Sequence, residues 1–356
     1  MNSLRTLLFL LIAIVVLPAH DMFLKMDDYH LPPGIYATIE LVNGTFAESE
    51  NVIDRDRMQD VSLVGNGERT AVPAGRWTEQ SLSTLLHLKT GEPGTWVAGV
   101  STKARTIEME AQAFNDYLAH DGVLDELAWR RENGAADQPA NERYSKHVKT
   151  IFQVGEERSG DWATELGYPV EFVPLSNPYD LEPGDEIRFR LLADGEPLAD
   201  QPLIVGHAGS HDHDHDHAHD HAADHDHDDA AGHTHGGPTV RTDAAGETAV
   251  TITEPGVWHL RTIRMERLDD PELTHESNWA TLTFGVADPN PGHGHSHTAG
   301  EHAHDHGDGA HTHGPDTHTH EHEHEGGLPG WAWWAVSVLF VTVLFFYFNR
   351  RTDAEA

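Results

Sequence analysis

Most of the chain's 30 histidines fall in two short segments through which no packed core can run. The first, residues 207–237, carries His207, His211, His213, His215, His217, His219, His221, His225, His227, His233 and His235. The second, residues 287–328, carries His293, His295, His297, His302, His304, His306, His311, His313, His318, His320, His322 and His324. Chiefly Asp, Gly, Ala and Thr fill the positions between them, and aliphatic side chains are nearly absent. Burial therefore cannot offset the entropy of ordering these backbones, and both segments are expected to be disordered loops. Any fold has to be assembled from the residues around them.

The two ends carry apolar runs of different kinds. Arg5, the run Leu7–Leu17 and then Pro18-Ala19 have the form of a secretory signal peptide over residues 1–19, which would make His20 the first residue of the mature chain. Trp331–Phe348 is apolar or weakly polar throughout and, as a helix, would span about 27 Å, enough to cross a bilayer. Trp331, Trp333 and Trp334 lie at one edge of it and Asn349-Arg350-Arg351 at the other, so the positive-inside rule puts the tail 349–356 in the cytoplasm. The expectation is a single-pass protein of the cell membrane, in contact with lipid through one C-terminal transmembrane helix, with its ectodomain in the periplasm.

Between these ends the patterning is that of strands. Ile35–Val42, Val61–Val64, Leu85–Leu88 and Trp96–Val100 are short apolar or alternating runs, separated by Asn43-Gly44, Asn66-Gly67 and Glu92-Pro93-Gly94. The period lengthens over 108–133, where Phe114, Tyr117 and Leu118, then Leu124, Leu127 and Ala128, recur at three- and four-residue steps, with Gly122 and Gly134 as stops. That predicts two short helices inserted into the first domain, 20–154, which Lys149–Val154 closes. A polar, turn-rich linker follows at 155–167. Val170–Pro174, Glu186–Leu192, Leu203–Val205, Thr239–Thr242, Thr248–Ile252, Trp258–Met265 and Ala280–Val286 then supply about seven strands for a second domain, 168–286. The predicted class is mainly β: two immunoglobulin-like β-sandwich domains with a helical insertion in the first, His-rich loops and the C-terminal helix.

Charge and composition narrow the chemistry. Lys and Arg number 23 against 59 Asp and Glu, a net charge of −36 that repels phosphates and attracts cations, so nucleic acid is not an expected partner. Cysteine is absent, which removes disulfides, thiolate metal sites and thiol nucleophiles together. A metal would have to be held by nitrogen and oxygen. Neutral imidazoles interleaved with carboxylates, as in His211–His221, suit nickel, cobalt, zinc or copper, and a flexible chain lets many combinations of ligands converge. Such binding fades as the imidazoles protonate near pH ~6.5.

His20 is a different kind of candidate: once freed by cleavage, its α-amine and imidazole can chelate one ion together. His30, His87, His120, His147, His259 and His275 are possible partners for it, each of them individually more typical of a surface or hydrogen-bonded core residue. No P-loop, GxGxxG or GxSxG motif occurs, and no nucleophile stands out, so an enzyme is not expected.

Several short motifs, in order, carry a resemblance. They are His20-Asp21, Phe114-Asn115-Asp116-Tyr117-Leu118 with Gly122, Tyr144-Ser145-Lys146, Asn177-Pro178-Tyr179, Gly184-Asp185 and Gly195-Glu196-Pro197-Leu198. Thr242-Asp243-Ala244-Ala245-Gly246, Gly256-Val257-Trp258 and Trp279-Ala280-Thr281-Leu282-Thr283-Phe284 continue it, so that residues 20–286 are covered. Together they resemble a domain-of-unknown-function family associated with periplasmic components of cobalt and nickel uptake systems. That resemblance implies a two-part β-rich protein serving nickel or cobalt import beside a membrane permease. The histidine insertion and the membrane helix depart from the simple pattern. Two other readings stay open: a periplasmic zinc buffer or sensor, and a copper-dependent oxidative enzyme using an N-terminal histidine brace.

Overall fold

The structure, a computed structural model, describes residues 20–208, 237–270 and 272–288. The expected signal peptide, the histidines His211–His235 and His293–His324, and the expected membrane span 331–348 lie outside the described residues. Among the described residues, no helix is long and apolar enough to cross a membrane.

The strands come where turn residues break apolar alternation. In chain order they are β1 (Asp21–Lys25), β2 (His30–Leu31), β3 (Tyr36–Gly44), β4 (Met58–Gly65), β5 (Glu68–Ala71), β6 (Trp77–Gln80), β7 (Ser83–Lys89), β8 (Gly94–Thr102) and β9 (Arg105–Met109). Helices α1 (Ala111–His120) and α2 (Leu124–Glu132) follow, as the change of period predicts; Gly122 and Gly134 stand just past their ends with positive φ. The chain continues through β10 (Ala140–Val154), β11 (Val170–Pro174), β12 (Glu186–Ala193), β13 (Glu196–Pro197) and β14 (Pro202–His207). It ends in β15 (Thr239–Arg241), β16 (Glu247–Thr251), β17 (Gly256–Arg267) and β18 (His275–Val286).

Three sheets form a β-sandwich of three layers. A central ten-stranded sheet runs β15-β14-β17-β18-β10-β8-β4-β5, with β2 and β9 also paired to β10. One four-stranded sheet, β1-β3-β7-β6, covers one of its faces: the hydroxyls of Thr281 and Thr283 on β18 donate to the carbonyl oxygens of Met22 and Leu24 on β1. The other, β11, β12, β13 and β16, covers the opposite face, where Phe189 meets Phe284 and the buried Lys149 ammonium pairs with Glu171 at 3.0 Å. The helices lie beside β1 on the first face, Tyr117 stacking on Trp279.

The two expected halves are each visible as a small sheet facing part of the large one, yet they are not separate domains. β10 and β18 pair in parallel from Glu142↔His275 to Ile151↔Phe284, and one apolar cluster contains residues from Met22 to Val286. The segment expected to be a linker is fastened as well: Asp161 accepts from the Gly67 amide at 2.8 Å, and Leu166 is buried against Gly99. A parallel pairing between strands about 130 residues apart leaves no local pattern in the sequence, so the polar stretch 155–167 carries only the signal of a linker.

Candidate metal centre

His20 stands immediately before β1 and is held at two points. The Lys146 ammonium, reaching up from β10, donates to the His20 carbonyl oxygen and to Asn43 Oδ1, the latter at 3.1 Å. The imidazole Nε2 lies 3.2 Å from the Glu50 carboxylate; the ring is 13% exposed and Glu50 47%. Glu50 is placed by the loop after β3, which Ser49 fastens by donating to the Leu82 carbonyl at 2.9 Å and Asn43 by donating to Asn51 at 2.7 Å.

Below His20 the charges are buried. Asp21 forms an ion pair with Arg261 of β17, whose guanidinium also donates to the Asp121 carbonyl at 2.6 Å and lies 3.7 Å from the Asp121 carboxylate. Loss of solvent raises the Asp21 carboxyl above its usual range, although Arg261 opposes the shift. Burial pulls the other way on Arg261, but Asp21 and Asp121 together outweigh it and hold the guanidinium protonated.

Farther along the same face, burial lowers Lys146 to about 8 and raises Glu142 to about 7. Glu142 accepts from Tyr117 at 3.2 Å and from Ser277. This network joins β1, the turn after α1 and the central sheet, and it fixes the backbone from which His20 projects.

The other sequence candidates are dispersed. His207 ends β14 with its ring against Trp258, Nε2 donating to the Pro255 carbonyl at 3.0 Å and Nδ1 3.3 Å from Glu254. The ring is thus held among Trp258, Pro255 and Glu254 at the foot of the first histidine segment. His259 is buried, its ring stacked on Phe46 with centroids 4.0 Å apart and its Nδ1 without a hydrogen-bond partner among the described residues; burial drives it down to about 3, so it stays neutral.

His147 is a core residue bonded to Ser101, Ser145 and Asn278, and His275 bonds Thr274 beside Glu126. His87 lies between Thr38 and Thr78 on the outer sheet, and His30 packs edge-on against Tyr179. His120 contacts Asp121 at 3.5 Å, and that contact raises it above its ordinary value. Among the described residues, no three His, Asp or Glu side chains are grouped so as to hold an ion.

His20 was legible as a candidate from its position after the apolar run. Glu50 was not, since a folded loop brings it across. Lys146 and Arg261 carry a weak signal of their own: each is a cation flanked on both sides by buried residues of its strand.

Against protein families, residues 17–266 match DUF4198, a domain of unknown function. The chain belongs to the DUF4198 family. The match takes in His20, the β1 strand, both helices and Arg261, and stops before β18. No curated protein matches the chain.

Among solved structures, the D0-D1 domain of intimin is similar at 12% identity, over 74% of this chain and 97% of that one, with a TM-score of 0.16. Trypsin-activated alpha-2-macroglobulin from Escherichia coli is similar at 9% identity over 76% of this chain and 16% of its own, with a TM-score of 0.19. The three N-terminal domains of the bacteriophage RB49 highly immunogenic outer capsid protein give 8% identity, 75% and 59% coverage and a TM-score of 0.15.

Proposed function

We propose that this DUF4198 protein is a membrane-anchored, extracytoplasmic accessory protein that captures divalent transition-metal ions and delivers them to an uptake permease, with nickel or cobalt as the cargo. The observation that carries the reading is the gathering of most of the 30 histidines into two carboxylate-interleaved segments on a chain without cysteine. The geometry is compatible with it. Both ends of the first segment are anchored in one antiparallel pair, β14 with β15, from Pro202↔Arg241 to Ile204↔Thr239, so ions gathered there stay tethered to the sandwich. His20, whose carbonyl and ring are both held, is the ordered position best suited to accept one. A tether through residues 331–348 would raise the local concentration of captured ions at the membrane face.

The test is direct. The purified full chain is loaded with nickel, cobalt, zinc or copper, dialysed and analysed for retained metal, beside a chain in which the histidines of both segments are replaced by serine. Retention of several ions by the first chain and their loss from the second is expected. A deletion strain should in addition grow poorly when nickel or cobalt is scarce. Failure of the full chain to retain any of these ions at neutral pH rejects the reading. A purely zinc-dependent transcriptional response on deletion would favour a buffer or sensor instead, and copper-dependent turnover of a substrate would favour the oxidative enzyme.

A further inference from the structure

We propose that Glu50 is a positioning residue that sets the His20 imidazole for chelation by the mature amino terminus, so that an ion is taken by Nδ1 and the α-amine of the same residue. The inference rests on the metal-capture reading above and on cleavage after Ala19. Its basis is the 3.2 Å contact between His20 Nε2 and Glu50 Oε2. An ionised carboxylate only accepts, so a proton shared in that contact sits on Nε2, and in the neutral ring the lone pair then lies on Nδ1.

Nδ1 and the α-nitrogen of one histidine close a six-membered ring around a metal, whereas Nε2 points away from its own backbone and cannot. The Glu50 contact therefore selects the chelating nitrogen. A carboxylate on the far ring nitrogen of a ligand histidine also raises its basicity and holds its plane.

The backbone half of the chelate is fixed independently. Lys146 holds the His20 carbonyl, Arg261 holds the next side chain, Asp21, and the hydroxyls of Thr281 and Thr283 hold the carbonyls of Met22 and Leu24. The α-nitrogen thus extends from a strand anchored at three successive alternate carbonyls. Two nitrogens from one residue leave the remaining coordination positions open, as a centre that must pass its ion onward requires. Glu50 itself is half-exposed, so replacing it perturbs the contact with little cost to packing.

The experiment reads the amine, which the histidine segments do not disturb. The full-length mature chain in detergent micelles is titrated with nickel chloride at neutral pH and pulsed with acetic anhydride. Mass spectrometry of the N-terminal peptide then reports acetylation of the His20 α-amine. Nickel is expected to protect that amine, and Glu50→Ala should raise the nickel concentration for half-protection by about 10-fold or more. Glu50→Gln, whose amide oxygen still accepts from Nε2, should restore most of the wild-type protection, which neither loss of charge nor a structural defect would allow.

Equal protection in wild type and Glu50→Ala overturns the proposal, as does Glu50→Gln behaving like Glu50→Ala, or an N-terminal peptide that does not begin at His20. Total nickel retained by the same samples separates the two ideas. A chain that keeps nickel but leaves its amine unprotected sinks only the chelate, and a chain that keeps none sinks the capture reading with it.

Discussion

Lys146, in the interior of β10, donates a hydrogen bond to the carbonyl oxygen of His20, so the longest strand of the fold holds the residue that precedes the first one. The ammonium is buried, and burial lowers it to about 8. Replacing it by methionine keeps the stem against Trp279 but leaves the His20 carbonyl and Asn43 Oδ1 without their donor. Lys146→Met should cost about 1.5–3 kcal/mol in urea unfolding, the range for charged hydrogen bonds. Amide exchange at Asp21 and Met22 should accelerate ahead of the rest of the sheet; uniform protection there would refute the anchoring role.

Arg261 is the only cation within ion-pair distance of both Asp21 and Asp121 among the described residues. Arg261→Leu should therefore be strongly destabilising, by about 3–5 kcal/mol, since it strands two carboxylates in a dry site. Adding Asp21→Asn to that variant should recover part of the loss. A double variant no more stable than Arg261→Leu would show that the cost lies in packing.

Glu142 gives a pH signature. Burial raises its carboxyl from the ordinary 4.5 to about 7, so the folded state holds a proton that the unfolded chain releases earlier. The stabilisation from that retained proton is complete below pH 4.5 and is lost as pH rises toward 7. Wild type should thus lose roughly 3 kcal/mol relative to Glu142→Gln across this window. Parallel stability curves for the two proteins would contradict the assignment.

Gly206 of β14 lies directly against the His259 ring, and a Cβ there would come within 2.2 Å of imidazole atoms. Gly206→Ala should cost about 1–3 kcal/mol through overpacking. Combining it with His259→Ala should relieve much of that strain, a coupling measurable in a double-mutant cycle. Additive losses would mean that the two residues do not press on each other.

The apolar runs were legible because alternation reports a half-buried strand, as in Leu85–Leu88, and an unbroken apolar run one covered on both faces, as in Trp96–Val100. β10 was half-legible: its end, Lys149–Val154, reads as a strand, while Glu142, Ser145, Lys146 and His147 hide the earlier part. Those residues are buried through partners on other elements, and no local pattern announces a polar residue that is satisfied at long range. β1 was missed for a different reason: Met22, Phe23 and Leu24 are all buried, so Asp21–Lys25 shows no alternation. At the candidate centre His20 was foreseeable by position, whereas Glu50, Asp121 and Arg261 enter only once three separate elements meet.

β18 lies beside β10 along ten consecutive residue pairs, yet it is the last strand among the described residues. During synthesis the middle of the molecule must wait, with a long hydrogen-bonding edge uncovered, until residue 286 has emerged. Assembly is thus a closing step and not a progression from one end. Shortened versions that stop ahead of His275 should expose that edge to self-association.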